Sequence, residues 1–188
     1  MTAGHKKSWN RTHVLIQEVA LDLFETHGFD ATTVAQIANH AGVSGMTLFR
    51  HFTTKHGVLF DDPYDDVIAD AVGEQPRGVP PLDRAVAGFR HAWQTVPEPE
   101  TELVRRRVRL IASTSTLRGE MSRNNAVTEA LIADQLSSDG ANPVHAKIAA
   151  AALLAAVTAA MFEWSLQERT ALGDYIEVAL SVLDGCDG

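Results

Sequence analysis

Apolar residues recur at three- and four-residue intervals along most of this chain, and runs that alternate every second residue stay short. Ile16, Ala20, Leu23 and Phe24 share one face of a helix predicted from about Trp9 to His27, with Gly28 as its stop. Val34, Ile37, Ala38 and Ala41 form a second stripe. It opens on Thr33, which makes a capping-box pattern with Gln36, and it closes at Gly42. Ser44 caps a third helix, in which Leu48 and Phe52 point to one core. Thr54 caps a fourth that starts at Lys55. Pro63 interrupts this fourth helix and predicts a kink or break near Asp61–Asp62, because proline removes a helical hydrogen bond and clashes with the preceding turn.

"GEQPRGVPP", Gly73 to Pro81, reads as a loop. Further helices follow over about 82–95, 100–113, 116–136, 144–168 and 171–183. Leu82, Val86, Phe89 and Trp93 line the first of these, and Leu172, Ile176, Ala179, Leu180 and Leu183 the last. The expected fold class is all-α, with about nine helices and no sheet.

The second and third helices, joined by "AGVS", make a helix-turn-helix. Gly42 suits the left-handed turn, and Ala38 and Ala41 allow close packing. The second helix of such a unit enters the major groove of DNA, led by its N-terminal residues. With Leu48 and Phe52 turned inward, the outward set is Gly45, Met46, Thr47, Phe49, Arg50 and His51. Arg50 can read guanine or hold a phosphate, Met46 can touch a thymine methyl, and Thr47 can bond a base or a phosphate. Gly45 permits close backbone approach. Thr33 and Lys55 stand at helix N-termini, where amides and helix dipole favour phosphate. A plain helical hairpin with a solvated outer face is the alternative.

Charge sharpens this picture. The formal net charge is −8. Residues 1–57 carry five basic and four acidic side chains, a balance of +1. The remainder carries 11 basic and 20 acidic, a balance of −9. Six of the eight histidines also lie in the first segment. An acidic body repels DNA, whereas a non-acidic face can still hold phosphates. One cysteine, Cys186, precludes an intrachain disulfide and fits a reducing cytoplasm. The N-terminus is polar, and the longest apolar run, Ile148–Phe162, is too short to span a bilayer, so a buried helix is expected there and no membrane partner.

"LFETHGFDATTVAQIANHAGVSGMTLFRHFTTKHGVL" resembles the N-terminal domain of the TetR family of transcriptional repressors, through "LF…GF…TTV..IA..AGVS..TLFRHF..K..L" over about Val14–Leu59. The resemblance implies an all-α homodimer: a helix-turn-helix domain over residues 1–54, and a ligand-binding and dimerisation domain over 55–188 that opens with a connecting helix, 55–73. It implies DNA contacts from Thr33, Gln36, Ser44, Gly45, Met46, Thr47, Phe49, Arg50, His51 and Lys55. Phe49 departs from the tyrosine many members carry, keeping the ring and forfeiting a hydroxyl bond to phosphate. The implied partners are a palindromic double-stranded operator and a small-molecule effector that releases it.

The C-terminal half offers a few further candidates. Arg105 and Arg109 share a helix face and suggest a site for an anionic ligand, or else pairing with Glu98, Glu100 and Glu102. Phe89, Trp93, Val108, Met121, Phe162 and Trp164 are candidate pocket-lining residues or simply core. The small apolar faces of 144–183 suit a helix–helix dimer interface. The histidines show no metal-ligand spacing, and no nucleophile elbow, phosphate loop or dinucleotide motif is present. No metal, no cofactor and no enzyme activity are therefore expected. A helical small-molecule carrier and a regulator that senses a partner protein remain open alternatives.

Overall fold

The structure, a computed structural model, describes residues 3–60, 65–95 and 101–185. Every regular element among them is helical: α1 (Ala3–His27), α2 (Val34–His40), α3 (Gly45–His51), α4 (Gly57–Phe60), α5 (Asp65–Gly73), α6 (Pro81–Thr95), α7 (Thr101–Ser113), α8 (Ser115–Ser138), α9 (Pro143–Ser165) and α10 (Leu172–Leu183). Of the expected fourth helix, the described residues include 57–60 and 65–73, α4 and α5. The predicted break at Pro63 lies outside them. The chain divides into two compact units, residues 1–61 and 62–188, with the division later than the 54/55 boundary expected from sequence.

In the first unit, α1 begins six residues before the predicted Trp9. Ile16, Ala20, Leu21 and Phe24 from α1 join Ile37, Leu48, Phe52, Val58 and Leu59 among the buried residues. The α4 segment packs in this unit, against α1.

The second unit is built around α9, which packs against α6, α7, α8 and α10. Ala146, Ala149, Ala150, Leu153 and Val157 face the core, where alanines let the neighbouring helices come close. By length and composition alone α9 could cross a membrane. The expectation that the apolar run is too short to span a bilayer is corrected by the 23-residue length of the helix, one face of which packs into the core of the unit. The opposite face exposes Val144, Ile148, Ala155, Ala159 and Leu166, and α10 exposes Val178 and Val182.

Two features fix the frame of this unit. At the α5–α6 crossing, Gly88 has no room for a side chain: a Cβ there would lie 2.5 Å from Val72 Cγ2 and 2.6 Å from Val72 Cα. Beside it, buried Arg84 donates to the Val72 carbonyl (3.1 Å) and to Asp139 Oδ2 (2.7 Å). Gln135 and Arg77 also reach the Asp139 carboxylate. The Arg84 hydrogen bond, and after it that of Gln135, hold this carboxyl below the usual carboxylate range.

The end of α9 is the second feature. Arg105, only 6% exposed, donates to the carbonyls of Trp164 (3.0 Å), Gln167 and Thr170 (3.0 Å), and its guanidinium stacks over the Trp164 ring at 4.2 Å. Arg109 donates twice to the Ser165 carbonyl, at 3.0 and 2.8 Å. Arginines near a helix C-terminus satisfy the carbonyls that have no intrahelical partner. The predicted helix to Glu168 therefore stops at Ser165, and Arg169 turns the chain at φ 68°. The anion-site expectation for Arg105 and Arg109 gives way to this capping role. Glu102 makes one ion pair with Arg105, at 3.7 Å, while Glu98 and Glu100 lie outside the described residues.

Candidate nucleic-acid interface

The two helices of the hairpin are seven residues each, too short to persist without help at their ends. The sequence supplies that help. Thr33 N–H donates to Gln36 Oε1 (2.8 Å) and Gln36 N–H to Thr33 Oγ1 (3.2 Å), which closes the capping box. At the other end of α2, Val43 N–H donates to the Ala38 carbonyl (3.0 Å) and Gly42 N–H to that of Asn39 (3.2 Å). This pair of bonds needs a left-handed residue, and Gly42 has φ 64°. Ser44 Oγ accepts from Thr47 N–H (3.1 Å) and starts α3. Thr54 Oγ1 accepts from Gly57 N–H (2.9 Å).

On this frame α3 buries Leu48 and turns other residues to solvent. Met46 is 75% exposed and Phe49 52%. Ser44, Gly45 and Arg50 are also exposed, and Thr47 is half-buried. Gly45 has no intramolecular need for glycine: its φ is not positive, and a Cβ would meet nothing within 4 Å. Glycine is a poor helix former, so its presence at the head of α3 is otherwise a cost.

Two residues of the expected contact set are placed differently. Lys55 does not project freely. Its ammonium donates to the carbonyls of Phe29 (2.8 Å), Thr32 (3.0 Å) and Asp30 (3.5 Å) and lies 4.3 Å from the Phe29 ring centroid. It ties the start of α4 to the turn that follows the end of α1 at Gly28 (φ 87°), where the Phe29 carbonyl also accepts from Thr32 N–H (3.3 Å). His51 is half-buried, and its ring stacks on Trp9 with centroids 3.8 Å apart. Burial, and after it the neighbouring Arg50 charge, hold the imidazole below the usual histidine range. Trp9 escaped the sequence reading because it precedes the apolar stripe and belongs to no motif.

The expected pocket residues of the second unit fall mainly into its core. Phe89, Val108 and Trp164 are buried there, with Trp93 and Phe162 packed against them. Trp164 Nε1 donates to the Thr170 carbonyl (3.0 Å), a capping contact like those of Arg105. Met121 is half-buried on α8, outside that cluster. No group of three or more histidine, cysteine or acidic residues able to hold a metal occurs among the described residues.

Comparison with known proteins bears on both units. A family model described as bacterial regulatory proteins of the tetR family matches residues 16–61, and one described as the MftR C-terminal domain matches residues 79–186. A Mycobacterium tuberculosis protein named for transcriptional regulation of mycofactocin biosynthesis, MftR, is 32% identical over 116 residues, 61% of this chain and 57% of its own length. The HTH-type transcriptional regulator TcmR of Streptomyces glaucescens is 30% identical over 135 residues, 68% of this chain and 60% of its own. The chain thus spans less than two thirds of either relative. Among solved structures, NalD of Pseudomonas aeruginosa, the secondary repressor of the MexAB-OprM multidrug efflux pump, shares the fold with a TM-score of 0.57 at 20% identity, covering 96% of this chain and 97% of that one. Bacillus subtilis FadR in complex with stearoyl-CoA does so with 0.57 at 14% identity, covering 93% and 99%. With the helix-turn-helix and the C-terminal unit each matched, the chain belongs to the TetR family of bacterial regulatory proteins.

Proposed function

We propose that this protein is a dimeric, DNA-binding transcriptional regulator, a repressor released from its operator by a small molecule. The observation that carries the reading is the head of α3. Gly45 there faces open space, and Met46, Phe49 and Arg50 stand exposed on a helix whose every cap is satisfied from within. Such a surface suits close approach of a duplex, with Arg50 on guanine or phosphate and Met46 on a thymine methyl. Thr33, Gln36, Ser44 and Thr47 are exposed or half-buried beside it, and their side chains work in the caps as well. The two relatives named as transcriptional regulators support the same role. It is exercised in the cytoplasm, where the chromosome lies.

Dimerisation follows from the need to read two half-sites about one helical turn apart. The apolar stripe of Val144, Ile148, Ala155, Ala159 and Leu166 on α9, with Val178 and Val182 on α10, suits a second copy of the chain. The effector falls to the second unit. Phe89, Trp93, Met121 and Phe162 are its candidate apolar neighbours, and the donors of Arg105 and Arg109 are engaged by carbonyls at the end of α9.

Selection of genomic fragments by the purified protein, followed by gel shift, tests the reading. The expected result is a short palindromic site whose binding falls at least tenfold in Arg50→Ala. Failure to enrich any sequence would overturn it. Sedimentation of Ile148→Glu is expected to show monomer where the parent is a dimer.

A further inference from the structure

Trp9 lies upstream of the segment matched to the family, residues 16–61. Its indole nevertheless meets the reading helix twice. It stacks on the His51 ring at 3.8 Å with planes 25° apart, and the Arg50 guanidinium carbon lies 5.5 Å from its centroid. One side chain of α1 thus engages two consecutive residues in the last turn of α3. The His51 ring also neighbours His13 (5.7 Å) and Phe52 (6.5 Å). Its Nδ1 is buried without a hydrogen-bond partner, so that nitrogen does not anchor the ring. Arg50 is exposed, and the indole is the ring on which it rests.

Offset aromatic stacking and cation–π contact both restrict where a side chain points. An arginine already restricted loses less freedom when it docks. We propose that Trp9 is a positioning residue for DNA recognition, fixing the last turn of α3 through His51 and orienting the Arg50 guanidinium toward the duplex. The proposal rests on the DNA-binding role above and adds to it a residue outside the helix-turn-helix.

A double-mutant cycle on the selected operator tests it, using the full chain. Trp9→Ala is expected to weaken binding about tenfold, and Trp9→Phe, which keeps a ring, to restore affinity to within about threefold of the parent. In an Arg50→Ala background, Trp9→Ala is expected to cost less than about threefold. An equal loss in both backgrounds would show that Trp9 acts without Arg50 and would overturn the proposal. So would unchanged binding by Trp9→Ala. A spectroscopic arm needs no DNA. The emission of Trp9, isolated as the difference between parent and Trp9→Phe, is expected to fall as His51 gains a proton below the usual histidine value of about 6.5. His51→Gln is expected to abolish that titration. Emission constant over this range would remove the stack and the proposal with it. If no operator is selected at all, the functional reading fails first. An operator bound equally well by Trp9→Ala overturns the role of Trp9 alone.

Discussion

The two units solve one problem, the unsatisfied ends of helices, with different chemistry. In residues 1–61 the helices are short and the caps are local: Thr33 with Gln36, Gly42, Ser44 and Thr54 all bond within a few residues of themselves. In residues 62–188 long-range arginines do much of this work, with Arg84 on Val72 and Arg105 and Arg109 on the end of α9. The first unit has long-range contacts too: Lys55 reaches the carbonyls of Phe29 and Thr32, and Gln17 Nε2 donates to that of Val58 (3.5 Å). A cation in sequence therefore does not announce an anion nearby. Carbonyls left at helix ends compete for it, and they hold Lys55, Arg105 and Arg109. Arg50 stays exposed, on the surface proposed to read DNA.

The comparison can be broken most forcefully at Gly88. Gly88→Ala is expected to destabilise the second unit by about 3 kcal/mol, the upper range for overpacking, because the new methyl meets Val72 main chain. Urea unfolding followed by tryptophan emission would measure it. A neutral result would show that α5 yields. Arg105→Met comes next. It retains part of the stem and strips the side-chain donor from the Gln167 carbonyl and one of two from that of Thr170, which keeps Trp164 Nε1, at a cost of about 2 kcal/mol. Substitution of Arg109 should cost less, since one carbonyl is at stake.

Lys55→Met sharpens the contrast within the first unit. It is expected to cost about 1 kcal/mol of that unit's stability. Operator binding should weaken with no change in its dependence on salt. A phosphate contact would instead lower the slope of log K against log salt by about 0.9. The smallest effect concerns pH. Asp139 has its carboxyl lowered in the folded state, so its contribution is present above the unfolded value of about 3.9 and is lost as pH falls through the folded one. Asp139→Asn should flatten the acid side of a thermal-stability profile recorded from pH 6 to pH 3. An unchanged profile would remove Asp139 from the network.

Local signals were legible in the sequence, and distant ones were not. The capping box at Thr33, the left-handed turn at Gly42 and the cap at Ser44 each depend on residues within a few positions, so spacing alone reveals them. The stripes that bury Ile16, Ile37, Leu48 and Ile176 were equally plain. The fates of Lys55, Arg105 and Arg109 depend on carbonyls more than twenty residues away along the chain, and no periodicity records that distance. His51 looked outward by helical count, but an aromatic neighbour in α1 covers it. The same distance effect shortened α9, whose apolar pattern says nothing of the arginines that end it.

Gly88 has one more consequence, a mechanical one. Most helix crossings are cushioned by side chains that can change rotamer and absorb a small displacement. Here the main chain of α6 bears directly on that of α5, and Arg84 fastens the same joint. Such a contact has almost no slack. A displacement of α6 toward α5 therefore passes to the α5 main chain, with no side chain between them to absorb it.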